Sequence, residues 1–149
     1  MTEANEMKTV FTLIRKKMAT INIKNIIASG LSMSQATVIQ EIGHHDGISL
    51  KMLSSLVGLD NSTVSRTVNQ LVEKNLVLRQ TQENDRRMIL ISLSKDGRNL
   101  VNRMEKQTDE QYARMIQYIP PEALDAFKQS AHIMLHAVEQ YEAENKRQA

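Results

Sequence analysis

The sequence predicts a mainly α-helical chain with one small β-hairpin. Three observations predict it. Apolar residues recur at three- and four-residue steps through most of the chain, as buried helix faces require. Ser49 to Leu93 instead reads as two short helices around a glycine-containing turn, then two β-rich runs flanking a charged tip. The segments on either side are long, striped helices. Two helices, a tight turn and a hairpin are the layout of a winged helix-turn-helix, a module that sets one helix in a DNA groove.

Composition narrows the alternatives. The chain's 149 residues suffice for one domain with its own core. Hydrophobic content of 41% and charged content of 24% match a soluble globular protein, and no apolar run is long enough to span a bilayer. Met1 to Glu6 is polar and acidic, unlike a secretory leader, so a cytoplasmic protein is expected. There is no cysteine, which excludes disulfides, thiol redox sensing, cysteine nucleophiles and Cys-ligated zinc. A net charge of +2 is too small to argue for nucleic acid by itself, so any DNA-binding charge must be local. Aromatics at 3% disfavour a single-strand binder built on stacking platforms.

Residues 5–28 read as the first helix, with Met7, Val10, Phe11, Ile14, Met18 and Ile21 on one buried face and Gly30 as its stop. Lys8, Arg15, Lys16, Lys17 and Lys24 lie mostly off that stripe, as on a solvated face. Ser32 caps the second helix, with Gln35 as its capping-box partner and Ala36, Ile39 and Ile42 inward. Gly43 to Gly47 reads as a loop, and Ile48 as a short strand. Ser49 caps the third helix, whose Leu50, Leu53, Leu56 and Val57 face inward. Gly58 ends it, and Leu59 is placed to plug the space between the helices. Asp60 or Asn61 caps the fourth helix, which runs to about Lys74.

On that fourth helix Val64, Val68, Leu71 and Val72 share one face. The opposite face carries Ser62, Arg66, Asn69 and Glu73, flanked by Thr63, Ser65 and Gln70. Ser and Thr can contact phosphate or bases, Arg pairs bidentately with guanine, and Asn reads adenine. The plain alternative is a solvated helix of short polar residues. Asn75 ends the helix, and residues 77–82 and 88–93 read as strands. Their connection, Glu83-Asn84-Asp85-Arg86-Arg87, puts two arginines at a tip that could enter a minor groove, with Asp85 placed to orient Arg87. An ordinary charged turn is the alternative. Ser94 caps a fifth helix to about Tyr118, with Leu100, Val101, Met104, Thr108, Gln111 and Met115 along its stripe. Pro120-Pro121 breaks the chain before a sixth helix presenting Leu124, Phe127, Ala131, Met134, Leu135, Val138 and Tyr141; the charged tail from Glu142 is expected to fray.

Together, Leu53 to Arg66, Leu71 to Val77, Asp85-Arg86-Arg87 and Leu93-Ser94-Lys95-Asp96-Gly97 closely resemble the MarR (multiple antibiotic resistance regulator) family. The order of segments resembles it over nearly the whole chain. The resemblance implies a single domain over residues 1–149, with a DNA-binding lobe at about 32–93 and dimerisation helices at about 5–29 and 95–145. It implies a homodimeric transcription regulator, usually a repressor, on a near-palindromic duplex, with recognition helices about 34 Å apart. Carried over by position, Ser62, Thr63, Ser65 and Arg66 meet DNA, with Asn69 a further outward position. Arg87 is the wing arginine, Asp85 its orienting partner, and Arg86 a neighbouring phosphate contact. The family often senses small anionic or phenolic molecules in a cleft beside the dimer helices. No ligand residue is assigned here, and the expected linings are aliphatic and Met-rich.

Other classes are weighed against this. His132 and His136, at i and i+4, and the His44-His45 pair could serve a zinc-responsive regulator of the same fold, but an exposed row is the simpler account and no metal or cofactor is expected. A winged helix that binds only protein is a second alternative. An enzyme is not expected, since no phosphate loop, nucleophile elbow or His-Glu-x-x-His motif is present.

Overall fold

The structure is a computed structural model that describes residues 2–81 and 89–148. Six helices and a small sheet follow in the order α1 (Glu3–Ser29), α2 (Met33–His44), β1 (Ile48–Ser49), α3 (Leu50–Val57), α4 (Asn61–Glu73), β2 (Val77–Thr81), β3 (Ile89–Leu93), α5 (Lys95–Ile116) and α6 (Leu124–Gln148). One 3₁₀ turn, Pro121–Ala123, precedes α6. No described helix is long and apolar enough to cross a membrane.

Local chemistry sets most of the boundaries. The Ser32 hydroxyl accepts from Gln35 N at 3.2 Å while Gln35 Oε1 accepts from Ser32 N at 3.2 Å, the reciprocal capping box expected of that pair. Ser49 caps α3 through Met52 N, and Gly58 closes it in the left-handed region at φ 66°. The end of α4 is a Schellman closure: Asn75 takes φ 57°, its N–H reaches Val72 O at 2.9 Å, and Leu76 N reaches Leu71 O at 2.9 Å.

The sheet runs β1-β3-β2, antiparallel throughout. Ile91 faces Ile48 on one side and Arg79 on the other, and Val77 faces Leu93. This sheet closes a core made by Val38, Ile39 and Ile42 of α2, Leu53 of α3, Val64, Val68 and Leu71 of α4, and Leu100, Val101 and Met104 of α5. Ile26 and Leu31 bring the end of α1 onto it.

A set of hydrogen bonds to backbone links the end of α4 to the start of α5. Ser94 N donates to Leu76 O at 3.0 Å, Ser94 Oγ donates to Asn75 O at 2.7 Å, and Gly97 N donates back to Ser94 Oγ at 2.9 Å. A Cβ on Gly97 would stand 1.9 Å from that same Leu76 oxygen. The first turn of α5 thus rests directly on backbone.

Several expectations change. The stretch Gly43 to Gly47 is not all loop: α2 continues to His44, and a Cβ at Gly43 would lie 3.1 Å from Val101 Cγ1, so the glycine serves a close helix approach. Leu56 and Leu59 are exposed rather than packed between helices, while Leu53 and Val64 are fully buried. The tail does not fray at Glu142. Its Ala, Glu, Lys and Gln are strong helix formers, and α6 continues to Gln148. The stripe on α1 is apolar but not covered within one chain: Met7, Val10, Phe11 and Ile14 are exposed, and Ile26 is the one buried residue of that helix.

By its internal contacts the chain forms two compact units, residues 1–107 and 108–149. The first holds the whole core just described. In the second, no described residue is buried, and Phe127, Leu135, Val138 and Tyr141 stand exposed on α6.

Gly97→Ala should lower stability by about 1–3 kcal/mol or more, since the obstacle is a main-chain carbonyl that cannot rotate away. Gly43→Ala, which meets only a side-chain methyl, should cost less. Urea unfolding of the two variants side by side checks the order.

Candidate nucleic-acid interface

The sequence-predicted surface lies on α4. Asp60 is its cap, the first of the two candidates: Oδ1 accepts from Thr63 N at 2.9 Å and Oδ2 accepts from Thr63 Oγ1 at 2.6 Å. Those two donors hold the Asp60 carboxyl below the usual carboxylate range, the hydroxyl contributing most. The buried side of the helix is Val64, Thr67, Val68 and Leu71. Thr67, not anticipated as buried, turns its hydroxyl back to Thr63 O at 2.9 Å.

That packing aims the remaining residues outward. Ser62, Arg66 and Asn69 are exposed, and Thr63 and Ser65 are half-buried beside them. Among the described residues no carboxylate pairs with Arg66, so its guanidinium keeps its donors. Thr63 is different. Its proton is committed to Asp60, which leaves lone pairs and a methyl group for any contact.

The wing is present as β2 and β3. Asp85, Arg86 and Arg87 lie outside the described residues. Arg79 on β2 is an exposed cation to which the sequence assigned no role.

A second feature was not foreseen. A cavity of about 370 Å³ is lined by the α1–α2 corner (Ser29, Gly30, Leu31), by Lys74 and Leu76 after α4, and by Asp96, Asn99, Leu100 and Arg103 of α5. Its walls mix three leucines, Leu31, Leu76 and Leu100, with polar and charged side chains, and no Met lines it. No local motif marks it, because its residues come from three separate helix ends.

Three of the histidines lie near carboxylates of their own unit. His44 Nε2 lies 3.4 Å from Glu105 Oε1, His45 Nδ1 lies 3.6 Å from Glu41 Oε2, and His136 Nδ1 lies 4.0 Å from Glu139 Oε2. No group of three or more metal-ligating side chains occurs among the described residues.

Two helices joined through Gly58, the second capped and facing outward, with a three-stranded sheet behind them, define a winged helix-turn-helix protein. More narrowly, the sequence profile of the MarR family matches residues 31–89 of the chain. The chain is 28% identical over 102 residues to the uncharacterized HTH-type transcriptional regulator YdgJ of Bacillus subtilis, an overlap of 68% of this chain and 62% of that one. The chain therefore matches less than two thirds of that relative's length. Two solved structures share the fold. MepR of Staphylococcus aureus, a transcription regulator of the multidrug efflux pump MepA, superposes with a TM-score of 0.79 at 19% identity, over 93% of this chain and 99% of that one. FabT of Streptococcus pneumoniae, in complex with DNA, gives 0.80 at 18% identity over the same shares.

Because the folded state lowers the Asp60 pKa, its contribution to stability is complete above the unfolded pKa and is lost as pH falls through the folded one. Asp60→Ala should therefore melt below wild type at neutral pH, with the gap closing as the pH drops below the carboxylate range. Asp60→Asn, which still caps, should show a smaller gap. Thermal melts across pH test both.

Proposed function

We propose that this chain is a sequence-specific, double-stranded-DNA-binding transcription regulator, acting as a homodimeric repressor on a near-palindromic operator. The observation that carries the reading is the outward face of α4. A firmly capped and core-packed helix presents Ser62, Arg66 and Asn69, with no side-chain ion pair to consume them among the described residues. A helix kept merely for solubility would favour Glu and Lys there. The MarR profile match over residues 31–89 and the DNA-bound structural relative support the same reading.

Two copies would give the apolar stripes of α1 and α6 a cover. Each buried Phe, Leu, Val or Met side chain is worth about 1.5–3 kcal/mol, a large sum to leave in water. By resemblance, Arg87 enters the minor groove with Asp85 orienting it, and Arg86 meets phosphate. Small-molecule release of DNA is proposed to act through the cavity beside α4 and α5, where Lys74 and Arg103 supply positive charge. A coupling of about 1–3 kcal/mol would weaken DNA binding by roughly 5- to 150-fold. The cytoplasm is the proposed location.

Selection of bound sequences from random duplex DNA should yield a near-palindrome, and its affinity should fall steeply with salt. On that duplex Arg66→Ala should cost about 1–3 kcal/mol, concentrated at one base position, and Arg87→Ala should weaken binding without changing assembly. A duplex pool returned without enrichment would overturn the reading. Sedimentation at micromolar concentration should give twice the chain mass; a monomer there would remove the homodimer.

A further inference from the structure

Gln35 is only 8% exposed, yet it is one of the longest polar side chains, and it sits among core residues of α2. Burial of an amide is costly unless both of its ends are used. Both are. Its Oε1 accepts from Ser32 N, and its Nε2 donates to Gln70 Oε1 on α4 at 3.0 Å. The capping box alone would need only an acceptor, which Glu supplies as well as Gln. The donor end has a separate use.

The direction of this chain is fixed at its start. A backbone N–H can only donate, so the Gln35 oxygen must face Ser32 and its nitrogen must face Gln70. Gln70 in turn must offer its oxygen inward. Its own Nε2, with two donors, is left on the exposed side and makes no hydrogen bond among the described residues. On a helix of about 100° per residue, Gln70 lies one turn beyond Arg66 and about 40° around from it, beside Thr63. It belongs to the same outward surface.

We infer that Gln70 is a further DNA-contacting residue, and that Gln35 is its positioning residue, fixing which end of the Gln70 amide faces the duplex. The inference rests on the reading of α4 as the recognition helix. An amide whose oxygen is taken cannot make the bidentate adenine contact, which needs donor and acceptor together. Gln70 therefore acts only as a donor, to an acceptor atom on the DNA. The sequence hides this, since Gln35 is explained locally by its cap and Gln70 sits at the flank of the polar face.

The test is a double-mutant cycle on DNA binding by the full chain. Its probes are the duplex selected by the wild-type protein and an unrelated duplex of equal length. Gln70→Met should bind the selected duplex about tenfold more weakly while staying folded, with a lowered melting temperature because the buried Gln35 Nε2 loses its acceptor. Gln35→Met should show a comparable loss, and the double variant should bind no more weakly than Gln70→Met alone, because Gln35 acts through Gln70. A merely structural role for Gln35 would instead give losses that add. Additive losses, or wild-type affinity in Gln70→Met, would overturn the inference while leaving the DNA-binding reading intact. A wild-type protein that selects no duplex would overturn both.

Discussion

The carbonyl oxygen of Leu76 ties the end of α4 to the start of α5. It accepts from Ser94 N, and it leaves no room for a side chain at Gly97. Around it, the left-handed Asn75 turns the chain out of α4 while the Ser94 hydroxyl binds the Asn75 carbonyl and caps α5. The end of the outward-facing helix and the start of the next long helix therefore share one set of main-chain hydrogen bonds. A rotation of α5 about its first turn must carry residues 74–76 with it. The cavity lies against this joint, with Lys74 and Leu76 on one wall and Asp96, Asn99 and Arg103 on another. Whatever occupies it presses on the joint rather than on a loop free to yield.

On α4 itself, structural and outward duties are divided by residue. Asp60, Thr63 and Thr67 spend their polar groups on the helix: cap, cap partner and back-bond. Ser62, Arg66 and Asn69 do not carry such duties, and Gln70 is held by only one end of its amide. The helix is thus rigid where it is buried and unspent where it is exposed. A binding surface that must desolvate without first breaking its own contacts needs this division.

Much of this was legible because it is local. Ser32 with Gln35, Ser49, Gly58 and Asp60 each act within four residues, and each marks the boundary expected of it. Periodicity located the inner face of α4 for the same reason. What was not legible depends on residues far apart in the chain. Gly43 reads as a loop glycine until Val101 is seen against it, and Gly97 carried no assigned role until Leu76 O was placed beside it. Leu56 and Leu59 were apolar and next to a core, yet it is Leu53 and Val64 that are buried in it. The cavity and the Gln35–Gln70 bond are likewise products of packing. The stripes on α1 and α6 expose a further limit, since periodicity reports that a face is apolar but not whose surface covers it.

Those stripes have a consequence for how the protein would respond to its own abundance. If a second copy covers them, folded chains exist in proportion to a mass-action equilibrium, and the melting temperature rises with concentration. The population able to span two grooves would then grow with the square of chain concentration while it is scarce. Halving the dose of such a protein would remove about three quarters of its active form, a steepness that comes from the uncovered faces of α1 and α6 and needs no effector.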